Sequence, residues 1–142
     1  MTLLQASAVA VRGRCVLLTG APGSGKSSLA LALVDRGAEL IGDDGVTLER
    51  RGDTLLASPP PAIAGKLEVR GAGLIDLPTT SAPVALIVAL GEDGERLPDA
   101  LPAQEIAGIR VPVLRVAAAD WTTPLRMERA LELHGLDVAA QP

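Results

Sequence analysis

The chain has 142 residues, 48% of them apolar and 21% charged, with a formal net charge of −4, which supplies one modest core and a surface unsuited to neutralising nucleic-acid phosphates. Phe and Tyr are absent and Trp121 is the single aromatic residue, so a platform for stacking successive bases is excluded and Leu, Val, Ile and Ala must build the interior. Cys15 is the lone cysteine, which excludes an internal disulfide, and the longest apolar run, about seven residues at 84–90, falls well short of the roughly 18 of a membrane span.

Arg12 and Arg14 interrupt the N-terminal stretch where a signal peptide would need an unbroken apolar region. The expectation is a cytoplasmic protein with no nucleic-acid and no membrane partner, folded as one domain over residues 1–142. Gly and Pro punctuate aliphatic runs and form no low-complexity tracts, which excludes disorder as the organising state.

In chain order, residues 7–11 alternate and branch like a strand, Arg12-Gly13 is a tight turn, and residues 15–19 form a continuous apolar run of the kind found in fully buried strands. Residues 27–36 have apolar side chains at helical spacing, with Gly37 as terminator, and 38–41 returns as a short strand. A hairpin is predicted for 46–50 and 54–57 across Arg51-Gly52-Asp53. The prolines at 59–61 forbid regular structure, short strands follow at 67–70 and 74–77 around Gly71 and Gly73, and 84–90 is a buried strand. Residues 110–117 read as an edge strand because Pro112 lacks the N–H of a central ladder. The last helix is predicted over 125–133, with Thr123 as its cap, Pro124 in its first turn and Gly135 as its stop.

The strongest chemical signal is Gly20-Ala21-Pro22-Gly23-Ser24-Gly25-Lys26-Ser27, which satisfies G-x-x-x-x-G-K-[ST] between a strand and a helix and is followed by Ser28. Glycines let successive backbone N–H groups turn toward phosphates while the following helix adds its positive end. Residues 20–28 are therefore the expected ATP-binding segment. Lys26 would reach the β- and γ-phosphates, and the Ser27 hydroxyl would complete the shell of a Mg²⁺ bridging them. The helix carries the chain about 15 Å away and the next strand brings it back about as far. Asp43 and Asp44 are thereby delivered beside the phosphates, one able to hold Mg²⁺ and the other able to accept a proton. Cys15 lies in an apolar run as an inert thiol, and adenine is expected to rest on aliphatic and backbone contacts, with modest discrimination between ATP and GTP.

The segment from the P-loop through Leu-Ala-Leu-Ala-Leu-Val-Asp-Arg-Gly-Ala-Glu-Leu-Ile-Gly-Asp-Asp resembles the catalytic domain of bacterial HPr kinase/phosphorylase, and residues 66–77, Lys-Leu-Glu-Val-Arg-Gly-Ala-Gly-Leu-Ile-Asp-Leu, look like that family's second signature. The resemblance covers roughly residues 4–98 and is closest to short, single-domain forms. It implies an α/β, P-loop NTPase-like fold of the HPr kinase/phosphoenolpyruvate carboxykinase type: a central mixed sheet with a P-loop helix and a C-terminal helix. It also implies an ATP- and Mg²⁺-dependent serine kinase, with phosphorylase activity as the family's second reaction, that acts on an HPr-like phosphocarrier protein in phosphotransferase-system signalling and assembles as a homo-oligomer. Carried over by position, Asp44 or its neighbour Asp43 is the base, Lys26 and Ser27 keep their roles, Glu68 is a magnesium ligand, and Arg96 is the active-site arginine. Read alone, Glu68 and Arg70 share one strand face beside Gly71 and Gly73, where a carboxylate and a guanidinium can be held on a tight loop.

Two departures accompany the resemblance. The family's catalytic histidine falls at Gln5, which cannot titrate, and the glycine-arginine loop that follows Val-Pro-Val in longer relatives is replaced by Leu114-Arg115 and alanines. Both argue against reverse phosphorolysis more than against phosphate binding. Competing classes are a small-molecule kinase, disfavoured because the arginines after Glu68 are scattered and do not cluster as in a lid, and a nucleotide-sensing regulator without turnover. His134, the only histidine, stands near the end of the last helix, away from the expected chemistry.

Overall fold

The computed structural model describes residues 1–62 and 64–138; Ile63 and 139–142, part of the expected domain span, lie outside the described residues. In chain order the elements are β1 (Thr2–Leu4), β2 (Ser7–Val11), β3 (Arg14–Thr19), α1 (Lys26–Asp35), β4 (Glu39–Gly42), β5 (Val46–Arg51), β6 (Thr54–Ser58), β7 (Lys66–Val69), β8 (Gly73–Asp76), β9 (Ala82–Leu90), β10 (Ala103–Ile106), β11 (Ile109–Val116) and α2 (Thr123–His134). Nine strands form one mixed sheet in the order β1-β5-β6-β9-β3-β2-β4, with β11 also on β9 and β10 on β11, while β7 and β8 form a separate ribbon.

The centre is the parallel pair β3 and β9, whose apolar runs are almost unbroken because both faces of the sheet are covered. Alternate side chains divide between two cores. Cys15, Leu17, Ile87 and Ala89 face one side, where Leu48, Leu55 and Val111 close over them. Val16, Leu18, Leu86 and Val88 face the other, under Leu29 and Leu33 of α1 and Met127 and Leu131 of α2. Arg36, just past α1, clasps Glu128 of α2 through Nη2 at 2.7 Å. β9 is shared along its length: β6 pairs antiparallel with Ala82 and Pro83, and β11 pairs parallel with Ile87 to Leu90. The fold is thus the P-loop type with a mixed sheet, a P-loop helix and a C-terminal helix.

Most predicted elements are present, with informative differences. Arg12 and Gly13 both adopt positive φ, 51° and 82°, the turn geometry that matches strand twist. α1 ends with the Gly37 N–H on the Val34 carbonyl and the Ala38 N–H on that of Leu33, the Schellman pattern expected of a glycine stop. β11 is no free edge: β9 takes Val113 to Val116 and β10 takes Ile109 to Pro112, so Pro112 sits where the partner changes and its missing N–H spares both ladders. Thr123 is not the cap but the first helical residue, buried, its Oγ1 accepting the Asp120 N–H at 2.9 Å. Gly135 stops α2 in an extended conformation, needed because a Cβ there would meet the Leu131 carbonyl oxygen at 2.5 Å. Among the described residues no helix is long and apolar enough to cross a membrane.

Burial pushes the Cys15 thiol well above its ordinary range, so it stays a neutral thiol at the sheet centre. The native protein is expected to resist iodoacetamide at pH 8 and to take up one label only in denaturant, as read by intact mass. Leu17→Ala should cost about 2–5 kcal/mol through the cavity it leaves, read as a lower urea midpoint at unchanged slope.

Candidate functional site

The loop between β3 and α1 turns on Gly20, Gly23 and Gly25, all with positive φ. Gly20 is also required by space, since a Cβ there would lie 2.7 Å from Ser24 Oγ. α1 begins without a side-chain cap and with no acidic residue in its first turn, so its positive end and first N–H groups are left uncompensated. That is the sequence's own arrangement for receiving an anion. Lys26 folds over the loop, donating from Nζ to the Gly20 carbonyl at 2.7 Å.

β4 returns the chain to this loop. Gly42 and Gly45 approach so closely that a Cβ on Gly42 would meet the Gly45 carbonyl oxygen at 2.1 Å, which folds Asp43 and Asp44 into a tight corner. Asp44 adopts φ 57°, a left-handed conformation that costs a non-glycine residue of the order of 1 kcal/mol, least for Asp and Asn. The two acids differ in their surroundings. Asp43, half-buried, accepts on Oδ1 from Ser27 Oγ at 2.7 Å and Ser7 Oγ at 2.9 Å, and on Oδ2 from the Glu68 N–H at 3.2 Å. Asp44 is exposed, and its N–H donates to Ser7 Oγ at 3.2 Å.

The β7–β8 ribbon brings the third carboxylate. Leu67 is fully buried in the helix-side core, which turns Glu68 and Arg70 to the opposite face. Lys66 pairs with Asp76 across the ribbon. A cavity of about 470 Å³ results, lined by Gly20, Gly23, Lys26, Ser27, Asp43, Asp44, Glu68, Arg70 and Gln5 among others. Pro22, Gly25 and Ser28 also line it, whereas Ala21 does not and Ser24 opens onto a neighbouring hollow. Arg96 is not brought here: it lines a separate cavity of about 890 Å³ with Arg115, Arg126, Arg129 and His134. Arg70 is the guanidinium at the phosphate loop.

Ser27, Asp43 and Glu68 offer hard oxygen donors. No group of three or more His, Cys, Asp or Glu residues among those described is arranged to hold a metal ion by itself. Such a sparse oxygen set fits Mg²⁺, which takes one or two carboxylates and completes its octahedron with phosphate oxygens and water.

Ser7 was missed by sequence reasoning, hidden as one polar residue in an apolar strand. It is fully buried and joins both acids. The available signal was its pairing potential: a buried hydroxyl needs a partner. Ser7→Ala is expected to destabilise the fold by about 1–3 kcal/mol by orphaning the Asp44 N–H, measurable as a shift of the urea midpoint.

The family model described as the HPr Serine kinase C-terminal domain matches residues 1–120. HPr kinase/phosphorylase from Burkholderia cenocepacia (strain HI2424) is 38% identical over 148 aligned positions, covering 89% of this chain and 45% of the relative. That of Clostridium botulinum (strain Eklund 17B / Type B) is 46% identical over 76 residues, covering 54% of this chain and 25% of the relative. The chain thus spans between a quarter and a half of the length of these curated relatives. The solved structure of the Hpr(Ser) kinase/phosphatase from Coxiella burnetii superposes with a TM-score of 0.79 at 27% identity, covering 93% of this chain and 89% of that one. With the P-loop, the acidic corner and the ribbon carboxylate joined in one cavity, the chain belongs to the HPr serine kinase C-terminal domain family.

Proposed function

We propose that this chain is an ATP- and Mg²⁺-dependent protein kinase that phosphorylates a serine of an HPr-like phosphocarrier protein. The observation that carries the reading is the division of labour between the two acids. Asp43 is fixed beside the P-loop by hydrogen bonds from Ser27, Ser7 and the Glu68 N–H, which leave it lone pairs for a cation, whereas the exposed Asp44 carboxylate takes no side-chain hydrogen bond among the described residues. Asp43 is therefore assigned to the metal side with Ser27 and Glu68, and Asp44 to the proton.

When bound, Mg²⁺ would be held by Ser27, Asp43 and Glu68 and would offset the negative charge of the phosphates. The P-loop amides and Lys26 hold the phosphates in place, and Arg70 faces the same cavity with a charge suited to the transferred group. Asp44 accepts the proton of the acceptor serine hydroxyl as its oxygen attacks the γ-phosphorus. The new serine O–P bond forms while the bond from the γ-phosphorus to the β–γ bridging oxygen breaks, and ADP departs with that oxygen. Gln5 lines the cavity and has no proton to exchange at neutral pH, so the reading is confined to forward transfer. The relatives' names support the acceptor: the curated ones are HPr kinase/phosphorylases, and the solved neighbour is an Hpr(Ser) kinase/phosphatase.

Incubation with labelled ATP, Mg²⁺ and the phosphocarrier of the same cell should place label on a carrier serine, and label that stays in ATP overturns the reading. Lys26→Ala should abolish thermal protection by ATP. Asp44→Asn should keep that protection while transfer falls by about 10²–10⁴-fold, the usual worth of a general base; undiminished transfer refutes the assignment of the base.

A further inference from the structure

After β11 the chain passes through Ala117-Ala118-Ala119-Asp120 to Trp121 and into α2. This turn lies against the P-loop: a Cβ built on Gly25 would stand 4.0 Å from Ala119 Cβ. Between the turn and the outer side of α1 lies a cavity of about 760 Å³ with a largely apolar wall of Leu29, Ala32, Pro124 and Trp121. It shares Gly25 and Ser28 with the phosphate cavity, so the two adjoin at the start of α1. Trp121 is 81% exposed, so it is open to a ligand.

The turn that presents Trp121 is tied at both sides. Asp120 Oδ1 accepts from the Thr122 hydroxyl at 2.6 Å and the Thr122 N–H at 2.8 Å, and the Asp120 N–H donates to Thr123 Oγ1 at 2.9 Å. The Thr122 hydroxyl, then its amide, holds the Asp120 carboxyl below its ordinary range, so the knot is intact at neutral pH. A second observation is that Ser24, which lines this second cavity, has its Oγ buried with no hydrogen-bond partner among the described residues.

We infer that this second cavity seats the purine base of the nucleotide, with the ring stacked on Trp121 and the sugar passing Ser24. The inference rests on the reading of the P-loop as the phosphate site. An aromatic face beside aliphatic walls suits a flat heterocycle, and the shared Gly25 and Ser28 put this wall next to the phosphate loop. The residue that composition alone makes look like an isolated surface aromatic becomes the nucleoside end of the site, in place of the purely aliphatic seat expected from the sequence.

Trp121 is the only tryptophan, so its fluorescence reports this cavity without labelling. With Mg²⁺ present, ATP should quench the emission, whereas inorganic tripolyphosphate should protect the fold thermally and leave the emission unchanged. Trp121→Ala should weaken ATP binding about tenfold by calorimetry, leave tripolyphosphate binding at its parent value, and keep the ligand-free melting temperature; Trp121→Phe should recover most of the loss. Equal ATP affinity in Trp121→Ala and parent, or equal emission changes with ATP and tripolyphosphate, overturns the base seat while leaving the phosphate site standing. Failure of both ligands to bind removes the phosphate site and the base seat together.

Discussion

One carboxylate holds the catalytic region in register. Asp43 gathers a hydroxyl from the start of α1, a hydroxyl from β2 and an amide from β7. Those three donors come from segments far apart in sequence, so a single charged group fixes the helix, the sheet and the ribbon relative to one another. Hydrogen bonds to an ionised acceptor are stronger than neutral ones, and here they converge in a half-buried setting. Glu68 stands over the phosphate loop because its own backbone is tied to this hub.

Much of this was legible in the chain. Unbroken apolar runs marked β3 and β9 because both sheet faces are covered, and the glycine pattern with its lysine marked the loop because no other residue types permit that backbone. The return path of β4 is simple length arithmetic, and it set Asp43 and Asp44 beside the loop. Illegible were the features made only by tertiary closure. β1 and β10 are short, exposed strands whose sequences carry no alternation, and they exist because β5 and β11 offer them an edge. In sequence Arg70 stands on a short strand beside Glu68 and Arg96 in a loop, and only the fold decides which guanidinium meets the phosphate loop.

Local rules are broken where the chemistry is placed. α1 starts uncapped, Asp44 sits in a left-handed conformation, and the Ser24 hydroxyl is buried without a partner. Each feature costs stability, of the order of 1–3 kcal/mol for a strained residue or an orphaned polar group. All three cluster on one edge of the sheet, beyond the carboxyl ends of the parallel strands, where ligands of open α/β sheets bind. The two aliphatic cores on either side of β3 and β9 carry that cost, and among the described residues the buried polar side chains are Ser7, Thr47 and Thr123.

The ribbon of β7 and β8 shares no ladder with the nine-stranded sheet. It is moored by Leu67 in the helix-side core, by Leu77 packed against that core just past β8, and by one amide on Asp43, with the Leu40 and Thr79 bridge marking where the chain rejoins the body. The carboxylate and guanidinium of the catalytic cavity therefore come from a ribbon, while the phosphate loop is shaped by the main sheet and α1, so phosphate holding and the supply of Glu68 and Arg70 are built by separate elements.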